Sequence, residues 1–326
     1  MPPRLILPVG VARGTLESCP HRATLSKMPR TFIIRHMVVT SLALLLTAAS
    51  LHALSNALIK SARDKLAFTW WMLTANLILG LPLILFVGDV PPIGWGIILV
   101  SGLIEAVYFI TLTRAYALGD LSQVYPIARG SAPLFVLLWA GLFLDEAPTV
   151  GGLIGIGLIV GGLYLLNLPV LAEWKRPLLG FKLPAARWAL LTGLLISIYS
   201  SIDKVGMRYV DPLPYLYLLL VVTWIALSGQ ALNADRRVAL RAELKPNPRH
   251  RLLIAALVAL LSSGAYGLAL AALRLSPVSY VSPVREVSVV IGAWIGVRFM
   301  GERGGSLRVI AAMLIAAGIV IMALIG

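Results

Sequence analysis

Ten apolar segments follow one another along the chain, separated by polar stretches, most of which contain or directly precede a proline or glycine. Each segment is near 20 residues long, the length an α-helix needs to cross ~30 Å of hydrocarbon at ~1.5 Å per residue. The pattern predicts ten transmembrane helices, called spans 1 to 10, at 37–59, 66–87, 94–117, 121–143, 148–170, 187–209, 212–232, 251–273, 277–300 and 306–325. The longest connection, 233–251, is polar and basic, and no connection is large enough for a soluble domain.

Composition agrees with a membrane protein. Charged residues make up 13% of the 326 residues and hydrophobic residues 59%, whereas soluble proteins carry roughly 25% charged residues. The net charge is +14, but lysine and arginine occur in short patches between apolar segments. That distribution favours a lipid bilayer with anionic headgroups over nucleic acid as the partner. Cys19 is the one cysteine and the four histidines lack metal-ligand spacing, so we predict no metal and no cofactor.

The first 36 residues differ from the rest, because they mix proline, arginine, serine and threonine without an apolar run. They lack the apolar core and cleavage site of a signal peptide. Met37 opens directly into span 1. We therefore expect translation to start at Met28 or Met37, with a regulatory tail as the alternative.

An internal repeat is visible when residues 125–129 are placed over 282–286. The same shift puts Asp145 on Glu302 and makes Glu286 the equivalent of Arg129. The repeat divides the chain into halves at 37–170 and 187–326, joined by a linker at 171–186. Five spans per half invert the second half relative to the first. Inverted repeats are typical of secondary transporters, whose substrate site lies between the halves near mid-membrane.

Positive charges are distributed unequally between the two sets of connections. The connections after even-numbered spans, with the C-terminus, hold three: Lys204, Arg208 and Arg274. Those after odd-numbered spans hold 17: Lys60, Arg63, Lys65, Arg114, Lys175, Arg176, Lys182, Arg187, Arg236, Arg237, Arg241, Lys245, Arg249, Arg251, Arg298, Arg303 and Arg308. The positive-inside rule then predicts both termini outside the cytoplasm.

Several segments carry a resemblance to a known family. They are 52–60 (HALSNALIK), which closes span 1, 115–130 (AYALGDLSQVYPIARG), which joins spans 3 and 4, and the acidic span ends at Asp145, Glu146 and Glu302. With these, residues 37–326 resemble the EamA-type, ten-helix members of the drug/metabolite transporter superfamily. The resemblance implies an all-helical integral membrane fold of two EamA repeats in the cell membrane, and transport or export of metabolites or drugs. Better-known members have both termini in the cytoplasm, so the charge pattern here predicts an inverted orientation.

Four charged residues lie deep within predicted spans, away from the span ends: Glu105, Arg129, Arg285 and Glu286. A charge in a span costs ~2.5–3.5 kcal/mol on insertion, so each is a candidate for substrate binding or coupling. Arg129 could anchor an anionic substrate group, or could form a structural ion pair with Glu286 or Glu105. Glu105 could carry a coupled proton, or could pair permanently with Arg129.

Further polar candidates lie near the ends of spans 1 and 6. Lys60, Asp203 and Lys204 are candidates for a gate, although lysines at span ends usually extend to the interface. His52 suits proton transfer by its titration range, but a buried structural histidine is the more common case. Asn56 closes the same span. The tyrosine candidates for a cavity wall are Tyr125 and Tyr199.

The leading functional hypothesis is a secondary transporter working by alternating access, with export of a small metabolite or drug-like molecule and proton coupling through Glu105 or Glu286. A subunit of a lipid-linked glycan flippase is the second hypothesis and would need a lateral opening near basic residues. A membrane enzyme is the third and would need clustered acid, base or metal residues. Glycines at 151, 152, 155, 157, 161 and 162 predict close helix packing, within the fold or between two protomers.

Overall fold

The computed structural model is all-helical over the residues it describes, which are 30–59, 62–118, 121–166, 168, 171–175, 183–245, 247–291, 294 and 306–325. Its α-helices are α1 (Arg30–Ile59), α2 (Lys65–Gly80), α3 (Pro92–Leu118), α4 (Leu121–Phe143), α5 (Val150–Leu166), α6 (Pro184–Gly206), α7 (Pro212–Ala231), α8 (Ala234–Leu244), α9 (Pro248–Leu275), α10 (Val278–Arg285) and α11 (Ser306–Ile325). Short 3-10 helices occur at Leu81–Phe86 and Leu171–Glu173.

The helices follow the predicted spans with four differences, one of which is the end of α10 at Arg285, inside predicted span 9. α1 starts at Arg30, ahead of the predicted start. α2 ends at Gly80 and continues as a 3-10 helix, because Pro82 cannot supply the backbone N–H that an α-helix needs there. The connection 233–251 contains α8, an additional helix that the polar composition concealed. Most of the second half of span 9 lies outside the described residues.

The described helices have the lengths and surfaces of a membrane protein. Six are long and apolar enough to cross a bilayer, and the apolar helices Ile127–Phe143, Val150–Leu165 and Val309–Ile325 are shorter. Many large apolar side chains point outward, among them Leu85, Phe143, Leu253 and Leu324. Contiguous exposed apolar surface on this scale is stable only against lipid.

Helix packing exchanges partners between the two halves. α1 of the first half packs on α9 of the second, and α6 of the second packs on α3 of the first. α2 contacts α9 while α7 contacts α3, and α5 packs along α11. Glycine permits the close approach of α5 to α11, because a Cβ on Gly155 would lie 2.7 Å from the carbonyl oxygen of Gly318. The core is therefore formed between the halves as much as within them.

One end of the bundle, called the basic face, holds most of the lysines and arginines found in the described connections and helix ends. Lys65 lies over the ring of Tyr116 at 5.6 Å, and Arg114 lies over the ring of Trp188 at 5.1 Å. Glu243 of α8, 1% exposed, accepts hydrogen bonds from the backbone N–H groups of the residues before α2 and pairs with Arg251. These contacts bring together the ends of α1, α3 and α7 with the starts of α2, α6 and α9.

The other end of the bundle, called the opposite face, collects the remaining connections. Arg274 at the end of α9 pairs with Asp211 before α7. Glu146 accepts hydrogen bonds at 3.0 Å from the backbone N–H groups of Val278 and Ser279. A carboxylate from the first half thus caps the start of α10 in the second half.

Candidate functional site

A group of buried and half-buried polar and aromatic side chains lies between the two halves. We call it the central cluster: His52 on α1, Glu105 and Tyr108 on α3, Arg129 on α4, Tyr199 and Asp203 on α6, Tyr266 on α9, and Arg285 and Glu286 at the end of α10. Glu105 is the middle residue of α3. The cluster therefore lies inside the apolar layer, where polar groups need partners.

Arg129 is the centre of a three-residue contact at the junction of α1, α4 and α10. Its Nη1 donates to Oε1 of Glu286 at 3.2 Å, and its Nη2 lies 2.5 Å from Nε2 of His52. A guanidinium can only donate, so Nε2 of His52 accepts, and the proton of the neutral ring is on Nδ1. The ion pair between Arg129 and Glu286, one of the alternatives suggested by the repeat alignment, is present in the structure.

Glu286 is incompletely satisfied. The residue is 3% exposed, and its Oε2 is buried without a hydrogen-bond partner among the described residues. A buried carboxylate in a purely structural ion pair normally has both oxygens bonded. The second oxygen is thus available to a donor that the described part of the chain does not provide.

Glu286 owes its position to the end of α10. Pro283 lies inside that helix and has no N–H to donate, and the helix ends at Arg285. The N–H of Glu286 then bonds the carbonyl of Pro283 at 3.1 Å. The chain turns at this point and presents two consecutive charged residues within the bundle.

Asp203 is fully buried and is held by hydroxyl groups from three other helices. Ser101 of α3 and Tyr215 of α7 each donate to its Oδ1 at 2.6 Å, and Tyr266 of α9 donates to its Oδ2. No lysine or arginine forms a salt bridge with it within the described residues. Asp203 therefore joins helices of both halves through hydroxyl donors alone.

Within the described part of the chain, the side chain of Glu105 has one hydrogen bond. The hydroxyl of Thr223 on α7 donates to its Oε2 at 3.0 Å, and Glu105 is 7% exposed. It interacts electrostatically with Asp203 and Arg285. The first-half candidate for coupling is thus placed beside a second carboxylate from the other half.

Three tyrosine rings, called the tyrosine wall, contact one another in turn within the cluster, each pair meeting edge to face. The rings of Tyr108 and Tyr199 are 5.8 Å apart, and those of Tyr199 and Tyr266 are 6.3 Å apart. The guanidinium of Arg285 lies over the ring of Tyr266 at 5.3 Å. This distance and arrangement are those of a cation–π interaction.

The predicted gate residues are placed as follows. Lys204 donates to the carbonyl oxygens of Leu273 at 2.6 Å and Ser276 at 2.8 Å, where its charge stabilises the C-terminal end of α9. Asp203, next in sequence, points instead into the cluster. Asn56 is half-buried near the end of α1. Lys60 and the side chain of Tyr125 lie outside the described residues.

Sequence reasoning did not single out four residues that hold the carboxylates: Ser101, Tyr215, Thr223 and Tyr266. Helical spacing could have indicated Ser101, which lies four residues before Glu105 and therefore on the same face of α3. For the other donors the sequence contains no signal, because serine, threonine and tyrosine are common in apolar helices. Among the described residues, no group of three or more histidine, cysteine or acidic residues could hold a metal ion.

An open cleft of about 810 Å³ lies at the surface between the 3-10 segment, α7 and α9. Its lining is mostly apolar, with Phe86, Leu213 and Leu268, and Asp211 is its charged residue. Tyr266 and Asp203 do not line it. The cleft is therefore distinct from the central cluster.

Comparison with known proteins gives a family and a fold. The EamA-like transporter family matches residues 39–168 and, a second time, residues 183–324. No curated protein matches the chain significantly. A solved crystal structure, whose title states no function, shares 16% identity over 87% of this chain and 96% of its own, with a TM-score of 0.64. At that identity the likeness shows a shared fold alone.

Proposed function

Because this chain belongs to the EamA-like transporter family, a membrane transporter family of the drug/metabolite type, we propose that it is a secondary transporter using alternating access. Its substrate in this proposal is a small metabolite or drug-like molecule, and the direction is export across the cell membrane. The central cluster is the proposed substrate site.

The proposal includes ten spans in two inverted repeats. The exchange of packing partners supports it, because α1–α9 and α3–α6 become equivalent pairs when the halves are interchanged. The pairs α2–α9 and α7–α3 are related in the same way. Rocking of one repeat against the other would then open the cluster to either face in turn.

The observation that carries the proposal is the incomplete satisfaction of a buried polar cluster between the halves. Glu286 has a buried oxygen without a partner among the described residues, although its other oxygen pairs with Arg129. A site that binds and releases a polar molecule must leave hydrogen-bonding capacity unused in one of its states. A permanent structural network would use it.

Proton coupling is the second part of the proposal. Glu105 lies mid-helix, is hydrogen-bonded to the neutral hydroxyl of Thr223 and has no salt bridge to a described lysine or arginine. A carboxyl group in that setting can exist without charge and can exchange its proton when the cluster opens.

The flippase alternative has less support. The open cleft is lateral, but its charged lining residue is Asp211, which pairs with Arg274. An anionic lipid-linked glycan would need unpaired basic groups there. The family and the buried cluster also favour transport over membrane-embedded catalysis, so we propose no enzymatic activity.

The test is exchange in proteoliposomes. Vesicles containing the purified full chain are loaded with an isotope-labelled metabolite mixture, and release into an unlabelled mixture is followed by mass spectrometry. We expect release of at least one compound, lost in Glu286→Gln and retained in Arg274→Gln, a variant of the exposed pair. If no compound is released faster than from protein-free vesicles, the proposed function is contradicted. Substrate-driven proton movement that persists in Glu105→Gln would contradict its role in coupling.

Dimerisation is a further part of the proposal. A Cβ on Gly157 or Gly161 of α5 would meet no atom within 4 Å, so this side of the helix has room for a second copy. Light scattering of the purified protein, with Gly157→Ile for comparison, tests whether two copies associate there.

A further inference from the structure

The central cluster contains two arginines in different electrostatic environments. Arg129 pairs with Glu286 and contacts His52. Arg285 is half-buried, and no carboxylate of the described residues lies within 4.0 Å of its guanidinium. Its contact is the ring of Tyr266. The two arginines therefore differ: Arg129 has a carboxylate in contact with its guanidinium, and Arg285 has none among the described residues.

A guanidinium at this depth is costly unless it has a partner of opposite charge, and the ring of a tyrosine supplies only part of that stabilisation. Its five donors form a planar fork that matches the paired oxygens of a carboxylate, sulfonate or phosphoryl group. We propose that Arg285 binds the negatively charged group of the substrate, so that the protein carries an organic anion. This inference rests on the proposed transport function.

The tyrosine wall indicates the rest of the ligand. Tyr266 lies directly beneath the guanidinium, and Tyr199 and Tyr108 continue from it at 6.3 Å and 5.8 Å between ring centres. An apolar or planar body attached to the anionic group can lie against these rings. An inorganic anion would leave the wall unused, and the ligand is therefore an anion with an organic body.

Negative charges near Arg285 set the conditions for binding. Glu105 and Asp203 both interact electrostatically with it, without contact. The other titratable or charged groups around it are His52 on α1, Tyr108 on α3, Arg129 on α4, Tyr199 on α6, Tyr266 on α9 and Glu286 beside it. With both acids ionised, the cluster's formal charges sum to a net negative value, which repels an anion. Protonation of either acid removes that repulsion, so the anion binds together with a proton and binds more tightly as the pH falls.

The experiment uses two aromatic probes with permanent and opposite charges, benzenesulfonate and phenyltrimethylammonium. Neither titrates near neutrality, so any pH dependence belongs to the protein. Thermal unfolding of the purified full chain is measured with each probe in acidic and in alkaline buffer. We expect benzenesulfonate to raise Tm, more in the acidic buffer, and phenyltrimethylammonium to leave Tm unchanged.

Three variants locate the effect. Arg285→Gln should weaken benzenesulfonate binding about tenfold or more, the loss of a charge-assisted hydrogen bond, without lowering Tm in the absence of the probe. Arg285→Lys should retain a weaker response, since its charge remains and its fork is lost. Arg274→Gln, in the exposed pair, should bind as the wild type does.

Four outcomes would overturn the inference: stabilisation by the cation instead of the anion, no response of the wild type to benzenesulfonate, an undiminished response in Arg285→Gln, or tighter anion binding in alkaline buffer. The proteoliposome assay separates this inference from the proposed function. Exchange of metabolites by a protein that ignores benzenesulfonate contradicts the anion site alone. Binding at Arg285 by a protein that exchanges nothing contradicts transport alone.

Discussion

Nη1 of Arg129 lies 3.2 Å from Oε1 of Glu286, although 157 positions separate the two residues in the sequence. Both side chains are nearly buried, at 11% and 3% exposure. Removing one partner leaves the other as an uncompensated charge. We therefore expect Arg129→Ala to lower the free energy of unfolding by about 3–5 kcal/mol, measured by thermal or chemical unfolding of the purified protein.

Exchanging the two residues should recover much of that stability, because the pair is restored with its direction reversed. Arg274→Ala is the matched control, since its exposed pair with Asp211 should contribute about 0–1 kcal/mol. Full stability and full transport in Arg129→Ala would show that neither the ion pair nor a substrate contact of this residue matters.

The hydroxyl of Tyr215 supports the charge of Asp203, and its removal should be measurable. Tyr215 is fully buried and donates to Asp203 at 2.6 Å. We expect Tyr215→Phe to cost about 1.5–3 kcal/mol, as for a hydrogen bond to a charged group. Tyr217→Phe on the same helix, also buried, has no such bond and should leave Tm nearly unchanged. Equal effects in the two variants would refute a specific role for this hydroxyl.

Glu243 fixes α8 to the start of α2 on the basic face. It accepts from the N–H groups of Arg63 at 3.1 Å and Asp64 at 2.9 Å, and it pairs with Arg251. Glu243→Ala should destabilise the protein by about 3–5 kcal/mol, since it leaves a nearly buried arginine without a carboxylate and two backbone N–H groups without an acceptor. Arg236→Ala removes a partly exposed pair with Asp64 and should cost under about 1 kcal/mol. A reversed order of the two effects would contradict this account.

Two glycines of α5 make a matched pair for packing. A Cβ on Gly155 would lie 2.7 Å from the carbonyl oxygen of Gly318, whereas a Cβ on Gly157 would meet nothing within 4 Å. Gly155→Ala should therefore separate α5 from α11 and lower Tm. Measured on the monomeric protein, where the Gly157 side of α5 is open, Gly157→Ala should be neutral or stabilising by up to about 1 kcal/mol, the gain in helix propensity. An unchanged Tm for Gly155→Ala would show that α5 and α11 are less closely packed.

Orientation in the membrane can be measured with reporters. The C-terminal end of α11 lies on the opposite face, where Thr149 donates to the carbonyl of Ile325 at 3.0 Å. The charge distribution predicts this face outside the cytoplasm. A protein that fluoresces only in the cytoplasm should be dark when fused after Gly326 and bright when inserted after Lys245. Bright fluorescence after Gly326 would restore the orientation of the better-known family members.

Hydropathy and charge are properties of short segments, and these determined the helices. The prediction of span 4 at 121–143 coincides with α4 (Leu121–Phe143), and span 10 coincides with α11 (Ser306–Ile325). The repeat in the sequence alone places Arg129 and Glu286 at equivalent positions of the two halves. The sequence analysis described 233–251 only as a connection and missed α8, because the sequence of α8 is polar. This helix is held by contacts of Glu243 and Trp71 between residues distant in the sequence.

Tertiary structure alone decided which buried charges have partners. A membrane helix is apolar toward lipid and toward its neighbours, so its sequence does not indicate which side faces the bundle. The rotation of each helix and the packing of α3, α6, α7 and α9 are what give Asp203 its three hydroxyl donors and direct Lys204 to the end of α9. The same packing pairs Arg129 with Glu286 and leaves Arg285 beside Tyr266 without a nearby carboxylate among the described residues. The sequence determined that charges lie within the membrane, and the packing of helices from both halves decided which of them form ion pairs among the described residues.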